Sequence, residues 1–317
     1  AQALVLSINE MLGSEAFDAR APKYVRQGDR EAVSALIADM NAGSVGLLIL
    51  DGVDPVYSLP DAEGFATALS KVGVSVIFST NENETSGYCT YTAAATHFLE
   101  SWGDTEIKKG HYGLTQPVIR QLFDTLQMQQ CMLQWMGSSQ SWFDYIQDTW
   151  NSSILNGADW NQALHDGVFT VEAPGETSSE PQSTEITVGD IDLTATMQRL
   201  ASAKDNGMSL VLYTKTGMGD GRQAGNPWLQ EFPDPITRVS WDNYVTVSRK
   251  DAADLGLVNE NAANGGLDGS YVNLTVGGIT LSQVPVIIQP GQAQGTVGLS
   301  LGYGKKAGLK DEMQTGV

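Results

Sequence analysis

Cysteine and histidine are scarce in this chain: 317 residues contain 2 Cys and 3 His. Cys89 and Cys131 stand apart and neither belongs to a Cys-x-x-Cys pair. That excludes a protein-held iron–sulfur cluster and any cysteine-rich zinc site, both of which draw most of their ligands from Cys. Positive charge is also short. Lys and Arg number 18 against 37 Asp and Glu, a formal balance of −19, so a phosphate backbone would be repelled and nucleic acid is not an expected partner. Long apolar runs are missing too. The best, Val45 to Leu50 and Val284 to Ile288, have the length of strands and fall well below the ~20 residues of a membrane span.

The length allows two domains. A compact chain of this size buries roughly 75% of its unfolded surface and needs no disulfide staples. The N-terminus opens directly on Leu4, Val5, Ile8, Met11 and Leu12 at helical spacing, which reads as a start inside a folded region, as in a mature fragment or processed piece. From Arg30, the residues Val33, Leu36, Ile37 and Met40 form an apolar stripe ending at Gly43, and this predicts a helix packed on a sheet. Val45 to Leu50 reads as a parallel strand covered on both faces. Gly52-Val-Asp-Pro55 turns the chain, Asp61 begins a second helix, and Val74 to Phe78 makes the next strand. Strand, helix and strand in that span predict a βαβ unit within a doubly wound α/β domain over residues 1–173.

Residues 174–192 combine Pro, Gly, Ser and Glu with few large apolar side chains, as a linker or long loop does. Over 193–317 the texture changes to short strands: Ser209 to Thr214, Tyr244 to Ser248, Tyr271 to Val276, Val284 to Ile288 and Thr296 to Leu301. Gly265-Gly266, Gly277-Gly278 and Pro290-Gly291 punctuate them, and a one-turn helix falls at Asp251 to Leu255. This pattern predicts a small closed or nearly closed β-barrel.

Several motifs invite chemistry. Gly298-Leu-Ser300-Leu-Gly302 matches a nucleophile elbow, but no helix follows and His97, His111 and His165 all lie upstream. Ser300 therefore reads as a strand residue facing solvent or a neighbour. His97 and Glu100 are spaced to share a helix face, where the carboxylate would satisfy a structural histidine. His111, after Lys108 and Lys109, reads as a surface group, and His165 as a helix-end imidazole near the terminal carbonyls. Gly217-Met-Gly219-Asp-Gly221 resembles part of a phosphate cradle without the following Lys-Ser or Lys-Thr, and reads as a flexible turn. Trp135, Trp142, Trp150 and Trp160, with Phe143 and Tyr145, read first as the closure of the α/β core and second as a protein interface. Asn-x-Ser/Thr triplets at Asn83, Asn151 and Asn273 would accept glycans only in a secretory pathway, for which no other feature argues.

Longer segments carry a family resemblance. Gly52-Val-Asp-Pro55 with Val56 to Asp61 is similar to the glycine–x–Asn–Pro loop of molybdopterin oxidoreductases, with Asp54 in place of the usual Asn. Ala93 to Asp104, Ser248 to Leu257, Asp268-Gly269, Val272 and Pro290-Gly291 match further parts of that family in order. His97 to Asp104, Gly110 to Pro117 and above all Asn226-Pro-Trp-Leu-Gln-Glu-Phe-Pro-Asp-Pro235 with Trp241-Asp-Asn243 resemble one branch, the B subunits of alternative complex III. These are molybdopterin-oxidoreductase-like iron–sulfur proteins of a bacterial quinol:electron acceptor oxidoreductase.

The resemblance covers only the later part of the molybdopterin-like half, its third and fourth domains. It implies a scaffold that has lost its metal cofactor, with no catalytic or metal-binding residues and no cofactor in this chain. Iron–sulfur clusters and haem c would be held elsewhere in a complex on the periplasmic side of the bacterial inner membrane. The implied partners are an iron–sulfur segment and haem c subunits. Gly52, Asp54, Pro55, Glu82, Glu84, Thr85, Gly225, Asn226 and Trp228 would be relics of a pterin-dinucleotide cradle. Asp51, Asp54, Glu82, Glu84 and Asp220 crowd those loops with negative charge, and Arg222 is the one evident counter-charge, so a pyrophosphate would be disfavoured there. The alternative is an active oxidoreductase whose remaining dinucleotide site lies in a missing segment.

Overall fold

The computed structural model describes residues 2–14, 23–25, 28–171, 192–202 and 207–316. The chain divides into two compact units. Ala1–Val53, Thr67–Thr80 and Cys89–Ala203 form the first; Asp54–Ala66, Asn81–Tyr88 and Lys204–Val317 form the second. The expected linker over 174–192 lies, apart from Asp192, outside the described residues.

In the first unit the apolar stripe after Arg30 becomes a helix, Arg30–Asn41, because Asp29 accepts from the free amides of Glu31 and Ala32 and so caps its start. Gly43, at φ +70°, supplies the left-handed residue that ends it. Met40 on its inner face is fully buried. Three parallel strands follow, β1 (Leu47–Asp51), β2 (Val74–Ser79) and β3 (Tyr91–Ala94), hydrogen-bonded in the order β1-β2-β3. Leu48 and Leu50 of β1 and Ile77 and Phe78 of β2 are buried, whereas Leu47 and Val74 are exposed. The parallel βαβ reading holds, but the strand order runs one way, and the reversal a doubly wound sheet requires is not found among the described residues.

Beyond β3 the unit changes character. Strands β4 (Gly103–Lys108), β5 (His111–Thr115) and β6 (Val168–Thr170) make an antiparallel sheet. The chain between β5 and β6 folds into the helices Met128–Trp135, Trp142–Thr149 and Trp160–Asp166. The last two helices and the π-helical turn Trp150–Ile154 between them, capped by Leu155, supply a core of Ile146, Trp150, Ile154, Leu155, Trp160 and Ala163, with Trp102, Tyr112, Trp142 and Phe143 packed against it.

The second unit contains β7 (Ser209–Thr214), β8 (Val245–Val247), β9 (Asn259–Asn261), β10 (Leu267–Gly269), β11 (Tyr271–Val276), β12 (Ile279–Ile288) and β13 (Thr296–Leu301). Five of these form a mixed sheet in the order β11-β12-β8-β13-β7, and β9 and β10 pair as a separate antiparallel ribbon. The expected barrel is not closed: β11 and β7 are the two edges of the sheet, and no ladder joins them among the described residues. Within this sheet only the Gly277-Gly278 turn makes a hairpin of successive strands, while the parallel pairs β12–β8 and β13–β7 need crossovers.

Val245, Val247, Val284, Val286, Val297 and Leu299 fill the core beneath the helix Arg249–Leu255 through Ala252. Gly298 faces Thr246 across the ladder, where a Cβ would fall 2.4 Å from the threonine Oγ1. That close approach accounts for the first glycine of the elbow-like motif.

Candidate functional site

Two loop segments of the second unit, 54–57 and 82–85, meet its C-terminal segment around one ammonium group. Lys305 Nζ is ion-paired with Asp54 Oδ2 and lies 3.1 Å from Glu84 Oε2. The three side chains are 12%, 13% and 19% exposed, so these are largely desolvated charges. The other oxygens are also engaged. Asp54 Oδ1 accepts from Thr85 N at 3.0 Å and Thr85 Oγ1 at 2.7 Å. Glu84 Oε1 accepts from the amides of Lys306 at 2.7 Å and Ala307 at 3.0 Å. Thr85 Oγ1 in turn accepts from Val56 N. Burial pushes the Asp54 carboxyl up, yet the hydrogen bonds from Lys305 and Thr85 and the Lys305 charge outweigh it and hold it below its ordinary value.

Neighbouring contacts fix this arrangement. Tyr57 donates to the Tyr303 carbonyl at 3.0 Å and presents its ring to Lys305, 4.8 Å from the centroid. Burial first, then the charges of Glu84, Asp54 and Asp220, push the Tyr57 hydroxyl up to about 12. Gly308, at φ +71°, lies so close to the 82–85 turn that a Cβ would fall 2.4 Å from the Glu82 carbonyl oxygen. Gly221 leaves no room either, a Cβ there meeting Tyr57 Oη at 2.4 Å.

A second buried lysine lies in the same unit. Lys215, 7% exposed, donates to Tyr303 Oη at 3.1 Å and to the Asp242 carbonyl at 3.4 Å. Its Nζ is 4.2 Å from the centre of the Tyr244 ring and 4.9 Å from that of Tyr303. Among the described residues no carboxylate lies within ion-pair distance of it. Burial lowers its pKa to about 8, against the opposing pull of the Asp234 and Asp242 charges.

Of the sequence-predicted cradle, the structure brings together Asp54, Glu84 and Thr85, with Pro55 opening the short helix Pro55–Ser58 directly behind Asp54. Gly52 lies in the first unit, its amide donating to the Phe78 carbonyl. Asn226 does not reach the cluster's hydrogen bonds; its side chain caps its own short helix by accepting from Trp228 N at 3.1 Å. Trp228 is 83% exposed. Arg222 is not the counter-charge: it pairs at 3.4 Å with Asp220, both exposed, while Lys305 performs that function. Sequence reasoning missed Lys305 because it lies 251 positions from Asp54, and Tyr303-Gly-Lys-Lys306 matches no motif.

The remaining candidates resolve individually. Ser300 does not face solvent; it is 3% exposed, within β13 rather than on an elbow, and its hydroxyl has no partner among the described residues. His97 and Glu100 do not share a helix face. The histidine accepts from Leu99 N at 3.3 Å within a 3-10 turn, and Glu100 accepts from Leu122 N. His111 is exposed with Nδ1 near the Lys109 carbonyl, and His165 meets Asp166 rather than the terminal carbonyls. The amides of Gly219 and Gly221 close turns onto Lys215 and Met218, so they are spent within their own loop. Trp150 and Trp160 are core and Trp135 is exposed. No group of three or more His, Cys, Asp and Glu suited to a metal occurs among the described residues, and no helix among them is long and apolar enough to cross a membrane.

No protein-family model matches the chain, and no curated protein matches it. Among solved structures, acetylene hydratase from Pelobacter acetylenicus, a molybdopterin-oxidoreductase family member, superposes with a TM-score of 0.57 at 12% identity over 85% of this chain. The chain spans 39% of that protein's length. At this identity the likeness shows a molybdopterin-oxidoreductase-like fold and nothing finer.

That fold implies a pterin dinucleotide, and the residues present do not fit one. The donors near the predicted cradle, Thr85 N and Oγ1, Lys305 Nζ and the amides of Lys306 and Ala307, all bind Asp54 or Glu84 of the chain itself. Gly308 packs against Glu82, and at Gly225 a Cβ would already lie 3.3 Å from Leu309 Cδ2. A diphosphate brought here would meet two carboxylates in place of open donors.

Proposed function

We propose that this chain is a non-catalytic, structural part of a membrane-bound respiratory quinol:electron acceptor oxidoreductase of the alternative complex III type, on the periplasmic face of a bacterial inner membrane. In this reading the chain carries no cofactor. It holds an iron–sulfur segment and haem c subunits at separations that permit electron transfer from quinol to a cytochrome c. The observation that carries the reading is the lysine-centred cluster, in which the chain's own carboxylates use the donors a dinucleotide would need.

Two further features support it. Exposed apolar side chains gather in segments, Val118, Leu122, Phe123, Trp135 and Met136 in the first unit and Trp228, Phe232, Ile236 and Trp241 in the second; such surface on a folded chain is characteristic of partner contact. The second group falls in Asn226 to Asn243, the segment whose resemblance to alternative complex III B subunits is most specific, and that resemblance alone supports the particular complex.

Metal analysis of the purified parent assembly tests the cofactor-free claim. No stoichiometric molybdenum or tungsten is expected. A stoichiometric signal would favour the alternative, part of an active molybdopterin-dinucleotide oxidoreductase.

A further inference from the structure

The dipeptide Asn-Gly occurs three times, at Asn156-Gly157, Asn206-Gly207 and Asn264-Gly265, and its chemistry depends on how each copy is held. Asn206 lies outside the described residues. The other two are exposed turns with the glycine at positive φ, +89° for Gly157 and +84° for Gly265. Asn264 is tied on both sides: its Oδ1 accepts from Gly266 N at 3.0 Å, and the Gly265 amide donates to the Ala262 carbonyl at 2.9 Å. At the first copy neither the Asn156 side chain nor the Gly157 amide has a hydrogen-bond partner among the described residues. Asn156 itself sits at φ +48°, a conformation that costs free energy for any residue with a Cβ. Space beside Gly157 is open, since a Cβ there would meet nothing within 4 Å. We infer that Asn156-Gly157 is a site of spontaneous deamidation, in which the glycine's backbone nitrogen attacks the asparagine side chain.

The step needs water and neither an oxidant nor a reductant. The Gly157 nitrogen gives up its proton and forms a bond to Asn156 Cγ, the Cγ–Nδ2 bond breaks, and the side-chain nitrogen leaves as ammonia. Water then opens the resulting succinimide at either carbonyl. One opening leaves an ordinary aspartate at this position; the other leaves an aspartate linked through its side-chain carbon, which adds one atom to the main chain. That atom enters a turn fixed at both ends. Leu155, 2% exposed, donates its amide to the Trp150 carbonyl, and the Ala158 amide donates to the Leu155 carbonyl at 2.9 Å. A lengthened turn does not keep the Ala158–Leu155 bond in its present geometry, so the side-chain-linked product loosens the core that Leu155 shares with Trp150 and Trp160. The inference is independent of the assembly proposed above.

The experiment is peptide mapping by mass spectrometry of the full chain, incubated folded and sampled over days, with fragmentation to separate the two aspartate linkages. Asn156 should deamidate about tenfold faster than Asn264, because two hydrogen bonds of ordinary net strength hold the latter. Its rate should rise between pH 7 and pH 8, since the nitrogen attacks without its proton. In the same chain unfolded in urea the two rates should converge. An Asn264 rate equal to or above that of Asn156 in the folded chain overturns the inference. So does a difference that persists unchanged in urea, which would assign it to the neighbouring residue types. Asn156→Gly accepts φ +48° without strain; it should keep its unfolding curve through the incubation while the wild-type midpoint falls. A wild-type midpoint that stays in place as the side-chain-linked product accumulates overturns the loosening of the core.

Discussion

The second unit buries two lysines in opposite ways. Lys305 is flanked by Asp54 and Glu84, whose other oxygens are satisfied by Thr85 and by the Lys306 and Ala307 amides. Lys215 has no carboxylate within ion-pair distance among the described residues and rests on the rings of Tyr244 and Tyr303, with one hydroxyl and one carbonyl as acceptors. A buried charge costs free energy in both places, and the difference lies in how it is compensated. Around Lys305 two carboxylates offset the buried ammonium, and Asp54 is held below its ordinary value by it. Around Lys215 the surroundings favour the neutral amine, which is why its pKa falls to about 8.

The largest expected effect separates the two. Lys305→Met leaves two carboxylates facing each other without their cation, and breaking a largely buried pair of this kind should cost about 3–4 kcal/mol. Denaturant unfolding at pH 7 measures it. Adding Asp54→Asn and Glu84→Gln to that variant should recover most of the loss, because the uncompensated charge is then gone. Failure of this rescue would mean that the lysine stabilises through its stem and not through its charge.

Lys215 should behave as a stability titration. Its folded pKa, about 8, lies below the ordinary lysine value of 10.5, so between those values the unfolded chain binds more protons than the folded one. Stability must then rise with pH across that window, by about 2 kcal/mol allowing for screening. Above pH 10 the trend reverses, since Tyr57 and Tyr303 are pushed up to about 12 and the folded state holds protons that the unfolded chain has lost. Unfolding curves at pH 7.5 and pH 9.5 should show the rise in wild type and a flat response in Lys215→Met. A rise that survives the substitution would assign it to another group.

The Asp54 titration runs the other way and is smaller. Its folded pKa is depressed, so its contribution is complete above the unfolded carboxylate value of about 3.9 and is lost as pH falls towards the folded value. Acid unfolding of Asp54→Asn should accordingly be shallower than that of wild type below pH 4. An identical acid limb in the two proteins would show that the Lys305 interaction does not respond to Asp54 ionisation.

Local elements of this fold were legible in sequence wherever periodicity, a cap and a glycine agreed, as in the helix Arg30–Asn41 between Asp29 and Gly43. Strands such as β11 and β13 match the expected bounds because alternation and glycine turns isolate them. Barrel closure was not legible, since it depends on which strands pair across crossovers, and a list of short strands carries no pairing. In the candidate site, Asp54, Glu84 and Thr85 could be picked out by resemblance. Their counter-charge could not, because a lysine 251 residues away leaves no local spacing to read, and Arg222 was the nearer but wrong choice. The net charge of −19 pointed correctly to an excess of acid; it could not say which acids are paired.

The smallest expected effect on the fold carries the comparison from the buried charges to the surface. Phe123 is 76% exposed, and replacing it with Ser should change stability by no more than about 0.5 kcal/mol, as surface substitutions usually do. In the proposed assembly that side chain has a partner, and truncating a buried aromatic anchor of an interface typically costs about 2 kcal/mol or more of binding. Phe123→Ser should therefore leave the unfolding curve of the isolated chain in place while reducing its co-purification with the parent complex. Lys215→Met, whose change lies inside the unit, should do neither at pH 7. If Phe123→Ser assembles as wild type does, the exposed residues around 118–136 are not where the partners bind.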